Sequence, residues 1–429
     1  MTQFQKYAEY KPSGVEWLGD VPKHWEVKKF KRVFYEIKKR SNSELNCGSI
    51  SFGKVVYKDD EKIPESTKKS YQVVLKGDFL VNPLNLNYDL ISLRIALSEI
   101  DVVVSSGYIV LSNSINLNKS YFKWFLHRFD VEYLKLLGSG VRQTLNYNDI
   151  GNCDLIFPPF AEQTAIANYL DEKTAQLDTA IAQKQRMIEL LKERRQILIH
   201  RAVTQGLDPS VKMKDSGVEW IGEVPEHWEV KRLRHIGKCQ NGVSKGGDYF
   251  GSGFPFVSYG DVYKNIELPK IANGLAQSSE EDRKYYSVEE GDVFFTRTSE
   301  TVEEIAFAST CIETIENAIF SGFLIRFRQE EPVLYKGFSK FYFSSKTHRP
   351  FFVREMNLVI RASLSQELLR KMPILIPPFE EQILIAEYIE TQSAKIEKAI
   401  RLKEEEIAKL KEYKGSLINS VVTGKVRVV

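Results

Sequence analysis

Ser13-Gly14-Val15-Glu16-Trp17-Leu18-Gly19-Asp20-Val21-Pro22, followed by His24-Trp25-Glu26-Val27-Lys28, is written a second time as Ser216-Gly217-Val218-Glu219-Trp220-Ile221-Gly222-Glu223-Val224-Pro225, followed by His227-Trp228-Glu229-Val230-Lys231. From Gly14 to Gly217 the offset is 203. A second pair lies downstream: Phe157-Pro158-Pro159-Phe160-Ala161-Glu162-Gln163 and Ile376-Pro377-Pro378-Phe379-Glu380-Glu381-Gln382, where Pro158 to Pro377 is an offset of 219. Arg142 and Arg361, and Leu145 and Leu364, keep that second offset. Between the anchors the match loosens to Gly77-Asp78-Phe79 with Gly291-Asp292-Val293 and Ser106-Gly107-Tyr108 with Ser321-Gly322-Phe323. A repeat at this spacing implies two units of one fold. Similar ends imply a common frame, and divergent middles imply that the two copies meet different things.

The middles read as mixed α/β. Tyr71–Leu75, Phe79–Val81, Val102–Val104 and Tyr108–Leu111 are β-branched and aromatic runs, and Tyr121–Leu137 is predicted helical. In the second copy Phe254–Ser258, Val293–Thr296 and Phe323–Phe327 are predicted strands and Val333–Ser344 the matching helix. Each Pro-Pro is predicted to end a strand and open a long helix. The stretch Ala161–Thr204 has neither Gly nor Pro, and its apolar positions step by three and four through Leu170, Leu177, Ile181, Ile188, Leu191 and Leu198. Ile389, Ile396, Ile400, Ile407, Leu410 and Leu417 repeat them at offset 219, with Gly415 the interruption. A helix of this length would span about 66 Å, which fits a coiled coil better than an ordinary domain helix. Internal symmetry predicts that the two helices pair antiparallel. Lys184, Lys403, Arg195 and Lys414 fall on the stripe and are expected to snorkel out of it, with setting register or facing a partner as the alternative.

The expected class is α+β: two tandem α/β recognition domains joined by two long helices forming an antiparallel coiled coil. The segments expected are a repeated frame at 1–29, a first domain at 30–156, a long helix at 157–210, a second frame at 211–232, a second domain at 233–375 and a second long helix at 376–429. The 429 residues, 43% hydrophobic and 27% charged, suit two or three folded domains and argue against disorder. No apolar run approaches the roughly 20 residues of a membrane helix. The start, MTQFQKYAEYKPSG, has no apolar core, so no secretory signal is expected. Cys47, Cys153, Cys239 and Cys311 show no CxxC spacing, which suits a reducing cytoplasm. Sixty Lys and Arg against 57 Asp and Glu leave a net charge of +3, so a nucleic-acid partner would require local positive charge.

Catalytic motifs are scarce. Pro-Pro-Phe resembles the Asp/Asn-Pro-Pro-aromatic motif of amino-methyltransferases, but Phe157 and Ile376 cannot accept the hydrogen bond that the motif's polar first residue supplies. Phe250-Gly251-Ser252-Gly253 echoes a methyl-donor glycine loop, yet no apolar strand precedes it and the first copy lacks it. Glu26-Val27-Lys28 and its repeat resemble half of a nuclease motif and read as frame. There is no Walker loop, HExxH or GxSxG, and the histidines form no metal-ligand spacing, so no metal is expected.

The divergent middles carry basic and amide-bearing loops. These hold Lys38, Lys39, Arg40, Asn82, Asn85, Asn87 and Arg94 in the first copy. In the second they hold Asn241, Ser244, Lys245, Tyr259, Tyr263, Lys264, Arg297 and Thr298. Such side chains hold phosphates and read base edges, though each cluster also suits a solvated loop. Arg142 and Arg361, matched within divergent surroundings, suit a phosphate contact in both copies or a buried structural pair equally.

The duplicated Gly-Val-Glu-Trp and Val-Pro-x-His-Trp-Glu-Val segments, the duplicated Pro-Pro-Phe-x-Glu-Gln with its long helix, and the Arg142 and Arg361 segments together make the chain similar to the specificity (S) subunits of type I restriction–modification systems. The resemblance covers essentially the whole chain. It implies two target-recognition domains, each reading half of a split double-stranded DNA target, with the helices setting the gap and docking two methyltransferase (M) subunits. Restriction (R) subunits would complete the complex. It implies no catalysis and no cofactor in this chain; S-adenosylmethionine, ATP and Mg would belong to the partners. The family's base-contacting residues vary, so the loop residues above are chosen by chemistry alone. A stand-alone bipartite DNA-binding regulator and a coiled-coil protein scaffold are the alternatives.

Overall fold

A computed structural model of the protein describes residues 5–84, 93–134, 145–299, 304–355 and 362–428. The chain forms two compact units, one of residues 1–184 with 405–429 and the other of residues 185–404. Each long helix is therefore divided between the units.

In the first unit a four-stranded antiparallel sheet runs in the order Phe34–Glu36, Ile109–Asn113, Phe79–Val81, Ile95–Leu97. In the second the same order is kept by Gly237–Asn241, Leu324–Gln329, Val293–Thr296 and Ala308–Thr310. The loosely matched Gly-Asp pairs enter equivalent strands. Asp78 accepts a hydrogen bond from Leu75 N–H at 3.0 Å, and Asp292 accepts one from Glu289 N–H at 2.8 Å. One helix packs on each sheet. Lys119–Glu132 starts where the Asn118 side chain accepts from Tyr121 N–H, and buries Tyr121, Phe122, Phe125, Leu126 and Phe129 along one face. Phe122 meets Phe34 with ring centroids 5.5 Å apart, and burying each such ring contributes about 1.5–3 kcal/mol.

The second unit's helix is Lys336–Ser344, three residues shorter at its start than the apolar run Val333–Ser344 predicts. Gln329 Oε1 accepts from Leu334 N–H at 2.6 Å and Gln382 Oε1 from Tyr335 N–H at 2.7 Å, so these donors are held by side chains ahead of the first turn. In the first unit the helix runs from Lys119 to Glu132, where Tyr133 N–H donates to the Phe129 carbonyl, so it stops short of the predicted Leu137, which lies outside the described residues. Phe250–Val257 is one strand with an irregular register between Phe250 and Phe254, so Gly251 and Gly253 are spent on a bulge against Ala276. The second-copy strand predicted from Phe323 begins at Leu324, leaving Phe323 in a turn.

The repeated segments build the frame. Gly14 and Gly19 take φ of 76° and 65°, Gly217 and Gly222 take 72° and 73°, and a side chain would disfavour that left-handed backbone. The strand Glu26–Lys29 pairs antiparallel with Asp154–Phe157, and Glu229–Arg232 pairs the same way with Pro373–Ile376. The prolines that follow lack the N–H needed to extend the ladder, and the long helices Phe160–Gln205 and Phe379–Val422 start there.

On those helices Leu170, Ile181, Ile188, Ile389, Ile396, Ile400, Ile407 and Leu417 are buried, while Leu177, Leu191, Leu198 and Leu410 are half-buried. Snorkelling does not describe three of the cations on the stripe. Lys414 Nζ lies 2.6 Å from Asp178 and Lys184 pairs with Glu406, both within the first unit; Arg195 lies 3.0 Å from Glu397 within the second. Each meets a carboxylate of the other helix, because the pairing brings an acidic residue within reach of a side chain that would otherwise extend to water.

His348 is buried against Tyr342, ring centroids 4.7 Å apart, with neither ring nitrogen hydrogen-bonded. Burial, with Arg349 adding to it, pushes its pKa down to about 3. The unfolded chain protonates this histidine near pH 6.5, so the stability it contributes is present above that pH and is lost as pH falls towards the folded value. Between pH 7 and 5 this group should cost about 2 kcal/mol, and His348→Phe should abolish that part of the loss in urea unfolding. Equal losses in the two proteins would contradict the assignment.

Candidate nucleic-acid interface

Equivalent corners of the two sheets gather many of the polar residues singled out by the sequence. In the first unit Lys38, Lys39 and Arg40 are exposed just beyond the edge strand Phe34–Glu36. Lys39 Nζ donates to the Ser106 carbonyl at 2.7 Å, and the Arg40 carbonyl accepts from Val73 N–H at 2.8 Å. The basic segment is thereby tied to the Ser106-Gly107-Tyr108 turn that opens the next strand.

In the second unit the segment after the edge strand Gly237–Asn241 meets the matched turn Ser321-Gly322-Phe323. Gly322 N–H donates to the Val243 carbonyl at 2.8 Å, and a Cβ on Gly322 would collide with the Ser244 hydroxyl. Ser244 and Lys245 are exposed, and Asn241 lies beside Gln366. Arg297 joins this corner: its N–H donates to the Phe323 carbonyl at 2.9 Å, and its guanidinium reaches the Gly322 carbonyl at 3.5 Å. Thr298 sits next to it in a short strand paired with Ala362–Ser363. At these turns Lys38, Lys39, Arg40 and Lys245 are exposed and Arg297 is half-buried, side-chain types that can hold phosphates.

Other candidates are placed elsewhere. Arg94 is 5% exposed; its Nε and its own backbone N–H each donate to Asp130 at 2.9 Å, and Asp130 is fully buried. It is a structural ion pair and not a DNA contact, since the guanidinium lies 2.8 Å from the Asp130 carboxylate and is buried inside the unit. Asn82 is half-buried and its side chain accepts from Leu84 N–H at 3.1 Å, closing a turn. The Tyr259 hydroxyl donates to the Thr298 carbonyl and the Tyr263 hydroxyl to Glu304, each at 3.0 Å, so both donors are committed within the unit. Lys264 is exposed in the last turn of the helix Tyr259–Lys264. Asn85, Asn87, Arg142 and Arg361 lie outside the described residues.

The frame that positions each corner was unforeseen as a site. Trp25 and Trp228 are fully buried, and their indole N–H groups donate to Glu162 and Glu381 at 3.0 and 3.1 Å. His24 and His227 reach the same carboxylates at 2.6 and 2.8 Å. Burial alone would raise the Glu162 carboxyl; bonds from Trp25, His24 and Tyr7 outweigh it and hold the pKa below the usual range. Gln163 and Gln382 are buried, and each accepts from the backbone N–H at the start of its unit's sheet-packing helix, Asn118 at 2.8 Å and Tyr335 at 2.7 Å. The signal for all of this was present in the sequence, because Trp, Glu and Gln are the residues that recur in both copies.

Among the described residues no group of His, Cys, Asp and Glu could hold a metal ion, and no helix is long and apolar enough to cross a membrane. A duplicated α/β scaffold with a common frame and a distinct polar corner on each copy defines a class of two-unit recognition proteins.

Residues 22–190 and 225–411 match the type I restriction modification DNA specificity domain, and the chain belongs to that family of specificity subunits. A Methanocaldococcus jannaschii protein provisionally named the MjaX specificity subunit of a type I restriction enzyme is 24% identical over 100% of this chain and 99% of its own length. The EcoKI specificity subunit of Escherichia coli K12 is 27% identical over 57% of this chain and 53% of its own. In fold, the chain resembles the HsdS subunit from Thermoanaerobacter tengcongensis, with a TM-score of 0.55, 15% identity, and coverage of 95% of this chain and 98% of that one. It also resembles a chain solved in a study of type I R-M complex assembly and conformational transition, with a TM-score of 0.69, 14% identity, and coverage of 94% and 98%.

Proposed function

We propose that each unit reads one half of a split double-stranded DNA target, and that the two long helices form an antiparallel coiled coil that sets the gap and docks two methyltransferase subunits. One observation carries this reading: the same four-stranded scaffold and frame recur, while the corner on each scaffold carries a different set of exposed polar side chains. Identical corners would select a symmetric target; unlike corners select unlike halves. Lys38, Lys39, Arg40 and Lys245 hold phosphates, giving salt-dependent affinity, and Asn241, Ser244, Arg297 and Thr298 face base edges. The helix of 46 residues from Phe160 to Gln205 is about 69 Å long, ample for readers about one DNA turn, roughly 34 Å, apart. In this reading the chain is non-catalytic and acts in the cytoplasm. Its methyltransferase partners use S-adenosylmethionine, and restriction subunits cleave with ATP and Mg.

Deleting the gene should abolish methylation at one split motif, and mapping methylated adenines genome-wide tests this. Exchanging residues 30–156 for those of another family member should change only one half of the motif. An unchanged methylome on deletion would sink the reading.

A further inference from the structure

The turn Ser321-Gly322-Phe323 presents an apolar ring in the midst of the second unit's polar corner. Phe323 is 62% exposed, and among the described residues it packs into none of that unit's apolar clusters. The matched residue of the first unit behaves differently. Tyr108 is half-buried against the cluster around Val55, Leu80 and Val110, and its carbonyl accepts from the Gln72 side chain at 2.6 Å.

Phe323 is also held in place. Its N–H donates to Ser321 Oγ at 3.2 Å, its carbonyl accepts from Arg297 N–H at 2.9 Å, and the following Leu324 N–H donates to the Ser321 carbonyl at 2.9 Å. A ring carried on a fixed backbone loses little further freedom on binding. Arg297 and Ser244 lie against the same turn, with the exposed Lys245 next in the chain after Ser244, and would bring a phosphate backbone up to it. A phenyl ring has no donor or acceptor and cannot read a polar base edge; its flat face matches the face of a base.

We propose that Phe323 is a wedge that inserts at one base step of the half-site bound by the second unit and partly unstacks it. The inference rests on the DNA-recognition reading above and names how one half-site is deformed. The first unit has no equivalent wedge at this position, because Tyr108 is committed to its core. The deformation is cheapest at a flexible pyrimidine–purine step, so the wedge selects sequence at a position where nothing is hydrogen-bonded.

The test uses the full chain assembled with its methyltransferase subunits and the target duplex found by methylation mapping. 2-Aminopurine is placed at successive steps of both halves, which the exchange of residues 30–156 assigns to their units. The wild-type complex should brighten the probe several-fold at one step of the second unit's half. Phe323→Ala should lose that signal and bind about tenfold more weakly. Phe323→Trp should keep both. Ile271→Ala, which truncates another apolar side chain of the same unit that is 80% exposed, should behave as wild type. Tight wild-type binding with no brightened step, or a signal that survives Phe323→Ala, would overturn the wedge. A wild-type complex that fails to bind the duplex would instead overturn the DNA reading itself.

Discussion

Asp130→Ala is expected to destabilise the first unit by about 3–5 kcal/mol, because it strands the buried Arg94 guanidinium without its counter-ion. Asp130 projects from the helix Lys119–Glu132 into the interior, where both members of the pair are nearly free of solvent. Removing the carboxylate leaves a charge that water cannot reach. The double replacement Arg94→Met with Asp130→Leu removes both charges at similar volume and should recover most of the loss. Chemical denaturation measures both, and DNA affinity separates structure from recognition. If Arg94 is purely structural, the double variant binds DNA as the wild type does. A loss of affinity with stability restored would return Arg94 to the interface.

Trp228→Ala carries the second large effect, about 3–5 kcal/mol in the second unit. The indole is fully buried, donates to Glu381 at the start of the second long helix, and lies where the first long helix ends: a Cβ on Gly206 would sit 3.4 Å from it. Truncation opens a cavity and leaves the Glu381 carboxylate with one fewer donor. Trp228→Phe keeps most of the volume and should cost only about 1–3 kcal/mol, chiefly for the missing hydrogen bond. Trp25→Ala should act in the same way on the first unit, where the indole holds Glu162 and approaches Gly424. Urea unfolding of the three variants checks the order Ala worse than Phe; an Ala variant as stable as wild type would remove the frame from its structural role.

Much of the architecture was legible because repetition is visible without coordinates. Trp25 with Trp228, Glu162 with Glu381 and the Pro-Pro turns announce a shared frame, and stepping through Leu170, Ile181 and Ile188 announces a long helix. The polar corners were legible only as composition. Lys39 and Ser244 could be named as exposed loop residues, but their meeting with the Ser-Gly-aromatic turn depends on strands more than sixty residues apart pairing in one sheet. Arg94 shows the opposite failure. An arginine beside amide-bearing residues looks like a phosphate contact until the helix that follows delivers Asp130 beside it. For the stripe cations Lys184, Arg195 and Lys414 the choice between snorkelling and a partner contact was open for the same reason, since a helix considered alone contains no partner carboxylate.

The sequence by itself therefore determined the duplication, the long helices and the family, because these rest on local periodicity and on residues repeated in register. The tertiary structure alone decided which charges are available to a partner. An ionised side chain is free or spent according to what lies within about 3–4 Å of it in space. That distance is set by sheet pairing and helix packing between segments far apart along the chain. The same packing leaves Phe323 in solvent while Tyr108, its counterpart in the repeat, is folded against a core.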